Sequence, residues 1–301
     1  MLGLMIELVE VSPRDGLQNE SKLLSTGQKL ELVERAYAAG ARRIEVTSFV
    51  HPKRVPQMAD AEAVAAGLTP HDDVVYAALV LNERWFDRAV AAGIREVNTV
   101  VITTETFSER NQGMSVAESV AAVSKIRKRA LGDSIRVTVT ISAAFGCPFE
   151  GEVPLDKLTR VAQQVAAIGV DEIVLADTIG VAVPSDVEER IALVREIGAS
   201  GTLRAHFHNT RNTAVANVVA AVRSGVTAID ASLAGIGGCP FAPAATGNVA
   251  TEDLVYALDR MGYETGYDLE RSIAGARWIA GELGIKPPGM VARAGGFPAR
   301  R

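Results

Sequence analysis

Runs rich in β-branched residues alternate with helix-patterned stretches eight times along this chain, and no linker interrupts the alternation. The strand candidates are Ile6–Val11, Arg43–Ser48, Val74–Leu81, Glu96–Ile102, Ile135–Ser142, Glu172–Ala176, Leu203–His208 and Ala228–Leu233. Between and after them come helical patterns at Thr26–Ala39, Asp60–Ala66, Glu83–Ala92, Ser115–Ala130, Leu155–Ile168, Ser185–Ile197, Thr213–Arg223 and Thr251–Arg260. Gly40, Gly93, Gly169 and Gly225 stand where helices should stop, the usual C-cap signal. Strand–helix units in unbroken succession build parallel sheets. At 301 residues, eight units fill one closed barrel. The alternative, an open doubly wound sheet, lacks its fingerprint: Gly235-Ile236-Gly237-Gly238 is not GxGxxG and follows the last strand rather than the first. The expected fold is α/β, a single (β/α)8 TIM barrel over residues 1–301 with a C-terminal helical extension at 268–301.

Charge and cysteine usage narrow the partners. The net charge is −5 and lysine and arginine form no stripe, which argues against nucleic acid. An anionic small substrate remains open, because local charge in a pocket outweighs the total. Two cysteines, Cys147 and Cys239, make no disulfide framework. With no signal peptide or long apolar span in view, the expected location is cytoplasmic, with no membrane partner.

Barrel enzymes place their chemistry at the C-terminal ends of strands. The first strand leads into Arg14, Asp15 and Gln18, the second carries Glu45 and Ser48, and the sixth leads into Asp177 and Thr178. The seventh ends in His206 and His208, two of only four histidines, and Asn248 follows the eighth. Residues two apart on a strand share a face, so both imidazoles point one way. Strands seven, eight and one adjoin in a closed barrel, which lets Asp15, His206, His208 and Asn248 converge. Two imidazoles, a carboxylate and an amide oxygen suit Mg²⁺ or Mn²⁺, with Zn²⁺ or Co²⁺ as competitors. Plain structural readings stand beside these: Asp15 as a turn residue, Asn248 as a helix N-cap, Glu45 as an ion-pair partner of Arg14, and Asp177-Thr178 as a lead into the next helix. Cys239, between glycines and a proline, suits a loop more than a core, although free cysteines are often buried.

Several stretches are familiar together: Val9–Glu20, Ser48–Met58, Gly146–Gly151, Gly235–Ala242 and Thr246–Leu254. The chain resembles the 3-hydroxy-3-methylglutaryl-CoA (HMG-CoA) lyases, within the metal-dependent barrel group that includes isopropylmalate and homocitrate synthases. The resemblance implies Asp15, His206, His208 and Asn248 as metal ligands, with Mg²⁺ or Mn²⁺ as cofactor. It implies Arg14 for enolate stabilisation, Cys239 as the catalytic loop cysteine, and Glu45 and Asp177 as acidic residues needed for activity. Gln18, Ser48 and Thr178 are expected beside the substrate, an acyl-CoA thioester, and a homo-oligomer, a dimer, is implied. Two departures alter the rim. The lyases read Asp-Thr-Tyr-Gly after the second histidine, where this chain has Asn209-Thr210-Arg211-Asn212, and Ala176 replaces the glycine before Asp177-Thr178.

The implied reaction is a retro-aldol or retro-Claisen cleavage, with Asp177 or His206 as base, Arg14 on the enolate and Cys239 returning the proton to carbon. Rival readings are another 3-hydroxyacyl-CoA substrate (citramalyl-type or longer 3-alkyl-3-hydroxyglutaryl), a Claisen-type condensing enzyme, a metal hydrolase and a non-catalytic barrel. Barrel hydrolases carry HxH on the first strand rather than the seventh, and a non-catalytic barrel would have lost rim residues that are all present.

Overall fold

A computed structural model describes residues 4–198, 201–238 and 247–298. Eight parallel strands close into a barrel: β1 (Glu7–Glu10), β2 (Arg43–Phe49), β3 (Val75–Val80), β4 (Glu96–Ile102), β5 (Arg136–Ser142), β6 (Glu172–Asp177), β7 (Thr202–Phe207) and β8 (Ala228–Ala231). They run in sequence order around the ring, and β1 pairs with both β2 and β8. The expected TIM barrel is therefore the observed architecture. Helix Leu269–Leu283, from the C-terminal extension, packs on helix Thr26–Ala39 and on the turn after β8. Among the described residues, no helix is long and apolar enough to cross a membrane.

Alternation along the strands explains how the barrel coheres. Val97 and Val101 on β4, Val137, Val139 and Ile141 on β5, and Ala205 and Phe207 on β7 are fully buried in the apolar layer beneath the helices. Their neighbours point the other way, into the bore, and many are polar. TIM barrels usually fill that space with branched aliphatic side chains; here buried charge occupies much of it. At the lower end Arg43 donates from Nε to Glu96 (2.9 Å) and from Nη2 to Glu172 (2.6 Å). Arg204 Nε lies 3.2 Å from the same Glu172, and its Nη1 lies 3.2 Å from Asp230. Burial raises the Glu172 carboxyl, but Arg204 and Arg43 outweigh it and hold the group well below the usual carboxylate range. One layer up, Asn98 donates to Glu45 (3.2 Å) and accepts from Thr140 (3.0 Å).

Local differences from the sequence expectation sit at element ends. The ladder of β7 stops at Phe207, and His208 instead forms an isolated antiparallel bridge with Asn248. The β2–β3 register shifts between Glu45 and Thr47, and Glu45 and Ser48, three apart, reach Arg14 and Gln18 on the mouth side. A helix at Glu105–Gln112 and a hairpin pairing Gly146–Cys147 with Gly151–Glu152 escape the periodicity argument, because both are short inserts after β4 and β5.

Two buried carboxylates stitch the turn after β8 to its surroundings. Glu10 accepts from the N–H groups of Ser12 and Leu233 (both 3.0 Å) and from Thr251 Oγ1 (2.7 Å). Glu252 accepts from Ala234 N–H (3.1 Å), while its other oxygen has no partner among the described residues. Gly289 of the extension donates to Ala234 O (3.0 Å) and closes over them. Burial, with the nearby Asp253 and Glu10 charges, pushes the Glu252 carboxyl up to about 8, against an ordinary value of 4.5. Between those pH values the folded protein holds a proton that the unfolded chain has released. The Glu252 contribution is therefore fully present below the ordinary value and is lost as pH rises through about 8. The slope reaches about 1.4 kcal/mol per pH unit. Urea unfolding from pH 5 to pH 9 should show Glu252→Gln with a visibly flatter decline than the parent; parallel curves would show that Glu252 is ionised when folded.

Candidate active site

The C-terminal mouth collects side chains from five strand ends. After β1 the backbone makes one wide helical turn, Ser12–Gly16, opened by Pro13 and closed by Gly16 N–H on Val11 O (3.0 Å). This turn presents Arg14 and Asp15 to the mouth. It also lies tight against the loop after β8: a Cβ on Gly16 would sit 2.8 Å from Ile236 Cγ1. Gly237, at φ +115°, lies over the same turn, where a Cβ would come within 2.5 Å of Asn248 Nδ2 and 3.0 Å of Asp15 O. Only glycine combines that dihedral with that approach.

Asp15, His206 and His208 bring one ligand atom each within 4.8 Å of one another. The two imidazoles share a face, as the spacing implies, with ring centroids 5.1 Å apart. Asn248 joins them. Its Nδ2 donates to Asp15 (2.8 Å) and to Ile236 O (3.1 Å), while its Oδ1 is buried without a partner among the described residues. His208 Nδ1 is likewise buried and unpartnered, and its Nε2 is 3.9 Å from Asp15. Unpaired buried polar atoms are costly, and a divalent cation would engage Asn248 Oδ1 and one nitrogen of His208.

Electrostatics agree with that reading. Burial raises the Asp15 carboxyl, but Arg14 and the two imidazoles outweigh it and hold it below the usual range, so it is ionised. Burial, with His206 beside it, lowers His208 to about 4, leaving a neutral ring with one nitrogen lone pair free for a cation. His206 is opposed by burial and supported by Asp230, 3.0 Å from its Nδ1, and by Asp15, which together raise it. A carboxylate, two imidazoles and an amide oxygen fit a cation of the Mg²⁺, Mn²⁺ or Zn²⁺ class.

Beside this cluster opens a cavity of about 620 Å³. Arg14, Asp15, Gln18, Thr178 and His208 line it directly. Glu45, Ser48, Asp177, His206 and Asn248 stand behind that surface. Glu45 receives Arg14 Nε (2.6 Å). Burial raises Glu45, and Arg14 opposes the rise. Ser48 donates to Gln18 (3.4 Å). Asp177 accepts the N–H groups of Val181 and Ala182 (both 2.9 Å), and burial raises its carboxyl against those bonds. Cys239 lies outside the described residues. The opposite wall is apolar, built from Leu79, Val100, Ile102 and Phe107. Arg211 does not line the described cavity surface; its guanidinium donates to the carbonyls of Ile179 (3.2 Å) and Gly180 (2.8 Å), tying two rim loops together. Asn209 accepts from Ala214 N–H (3.2 Å) and so caps the following helix. Ala176 sits in the β6 ladder, paired with His206.

Comparison with known proteins agrees with this geometry. The profile of the family described as HMGL-like matches residues 5–279. The chain belongs to that family. HMGL-like relatives of known activity make it a carbon–carbon lyase. It is 41% identical over 300 residues to the (R)-citramalyl-CoA lyase of Chloroflexus aurantiacus, covering 96% of this chain and 95% of that one. It is 38% identical to the hydroxymethylglutaryl-CoA lyase of Bacillus subtilis, covering 94% and 95%. Among solved structures, an HMG-CoA lyase of Acinetobacter baumannii in complex with coenzyme A and 3-methylmalate superposes with a TM-score of 0.94 at 37% identity, covering 99% of this chain and 97% of that one.

Sequence reasoning overlooked Asp230, Arg204 and Asn98, which support the HMGL-like site from inside the bore. The signal was available for one of them: Arg204, His206 and His208 occupy alternate positions and so share a face. The cation cluster makes a direct prediction. Mn²⁺ should raise the melting temperature of the parent by mass action, and His208→Ala should abolish most of that rise in a thermal-shift titration. An undiminished rise would remove His208 from the ligand set.

Proposed function

We propose that this chain is a divalent-metal-dependent lyase that cleaves a 3-hydroxyacyl-CoA thioester, with HMG-CoA giving acetyl-CoA and acetoacetate as the leading reaction. The observation that carries the proposal is the shared opening. Arg14 and the Asp15–His208 end of the cation cluster face one cavity, whose outer part carries Lys53 and Arg54. Asp15 is the sole carboxylate on its described lining, so an acidic protein presents a cationic site to an anionic substrate. The structure bound to coenzyme A among its relatives supports a CoA thioester.

In this reading Asp15, His206, His208 and Asn248 hold Mg²⁺ or Mn²⁺. The cation supplies Lewis-acid polarisation of the substrate's hydroxyl and carbonyl oxygens. The protein's own residues then divide the proton and charge work. A base takes the proton of the 3-hydroxyl, the C2–C3 bond breaks, C3 becomes a ketone, and the electron pair passes into a thioester enolate. The base is Asp177 or His206: His206 would share its nitrogens between Asp230 and the cation, and Asp177 stands behind the cavity wall, so a shift of the wall would have to bring it to the hydroxyl. Burial keeps the Asp177 carboxyl basic, and each oxygen retains a lone pair beside its backbone bond. Arg14, anchored by Glu45 and Asp15, stays charged and faces the enolate oxygen. Gln18, held by Ser48, and Thr178 position the acyl group. Cys239 is proposed to return a proton to C2.

A second substrate has its own support. The relative at 41% identity is an (R)-citramalyl-CoA lyase, and 3-methylmalate in the Acinetobacter structure is an isomer of citramalate. Citramalyl-CoA is HMG-CoA shortened by one methylene in its acid arm, and the same bond cleavage would yield acetyl-CoA and pyruvate. Pure protein with Mg²⁺ or Mn²⁺ should release acetyl-CoA from a panel of HMG-CoA, citramalyl-CoA and longer 3-alkyl analogues, with acetoacetate or pyruvate identifying the substrate by mass spectrometry. Failure to cleave any of them would end the proposal. On the best substrate, Arg14→Met should lower kcat about a hundredfold or more with a smaller change in KM. A change confined to KM would make Arg14 a binding residue only.

A further inference from the structure

We propose that Asp230 is a positioning residue for the cation site, fixing the tautomer and orientation of His206, and that Arg204 holds Asp230 to that task. The inference rests on the metal reading above and goes beyond it, because it concerns a carboxylate inside the bore.

Three observations carry it. First, Asp230 Oδ2 lies 3.0 Å from His206 Nδ1, and both side chains are buried. A carboxylate oxygen facing Nδ1 accepts from a proton there, which leaves Nε2 as the ring nitrogen available to a cation. A carboxylate behind a ligating histidine sets ring orientation and raises ligand basicity. Second, the other oxygen of Asp230 has an ion-pair partner: Arg204 Nη1 stands 3.2 Å from it, though without hydrogen-bond geometry. Arg204 is in turn braced by Glu172 (3.2 Å), which Arg43 clamps from the lower end of the bore (2.6 Å). Third, the parallel register sets β8 beside β7, with Ile229 opposite Ala205, so Asp230 and His206 are adjacent on the inward face. The charge ladder thus runs unbroken from Arg43 to the ring of His206.

A purely structural role, neutralising Arg204, predicts something different. It would make Asp230→Asn a stability variant with normal cation affinity. Positioning predicts that Asp230→Asn weakens Mn²⁺ binding about 10–100-fold, read by calorimetry on the full chain, with Asp230→Glu recovering part of the loss. Nitrogen-15 NMR of the parent gives a readout that needs no variant: at a pH where the ring is neutral, His206 should carry its single proton on Nδ1. Mn²⁺ affinity within twofold of the parent in Asp230→Asn, or a neutral His206 ring with its single proton on Nε2, overturns the inference alone. A parent that binds neither Mn²⁺ nor Mg²⁺ sinks the metal reading and this inference with it.

Discussion

The barrel closes around buried charge. Arg43 reaches Glu96 and Glu172 across the bore, and every element that contributes to the mouth sits above that pairing. Taking such groups out of water is expensive unless each finds its partner, and removing one partner from a buried pair costs about 3–5 kcal/mol. Strand register is therefore specified twice. The apolar faces of Val97, Val139 and Phe207 must meet the helices, and the charged faces must meet one another. A slip by one residue would invert both at once.

This arrangement also explains how the candidate ligands Asp15, His206, His208 and Asn248 are held together at the rim of a barrel. Asp15 comes from a turn, Asn248 from a loop, and the histidines from the end of β7 and just beyond it. None is fixed by the ladder alone. Each is braced by a second contact: Arg14 and Asn248 for Asp15, Asp230 for His206, the bridge to Asn248 for His208. Gly16 and Gly237 allow the loop after β8 to lie directly on the turn after β1. Side chains there would hold the two apart and separate Asn248 from Asp15.

The cavity is divided in character. On the side of β1, β7 and β8 it is polar and charged; on the side of β3 and β4 it is built from Leu79, Val100 and Ile102. The departures at Asn209 and Arg211 act outside that surface, one capping a helix and the other joining two rim loops. Their influence on the substrate would run through loop position rather than contact.

Alternation of β-branched and helical patterns determined the closed eight-stranded fold, because parallel strands joined by helices of this length have few ways to bury both faces. Residue type and spacing also identified Asp15, His206 and His208, since a two-residue period puts both imidazoles on one side wherever the strand lies. Asn248, Arg14 and Glu45 came from their places at strand ends and from family resemblance. The roles of Asp230, Arg204 and Asn98 were not legible, although alternation puts Arg204 on the histidine face, because each acquires its partner only from a different strand. The register shift between Glu45 and Thr47, and the retreat of Asp177 behind the cavity wall, were equally hidden. Local sequence determines which way a side chain points from its own strand. Which charge it then meets across the bore is a property of barrel closure, and only the tertiary structure decided it.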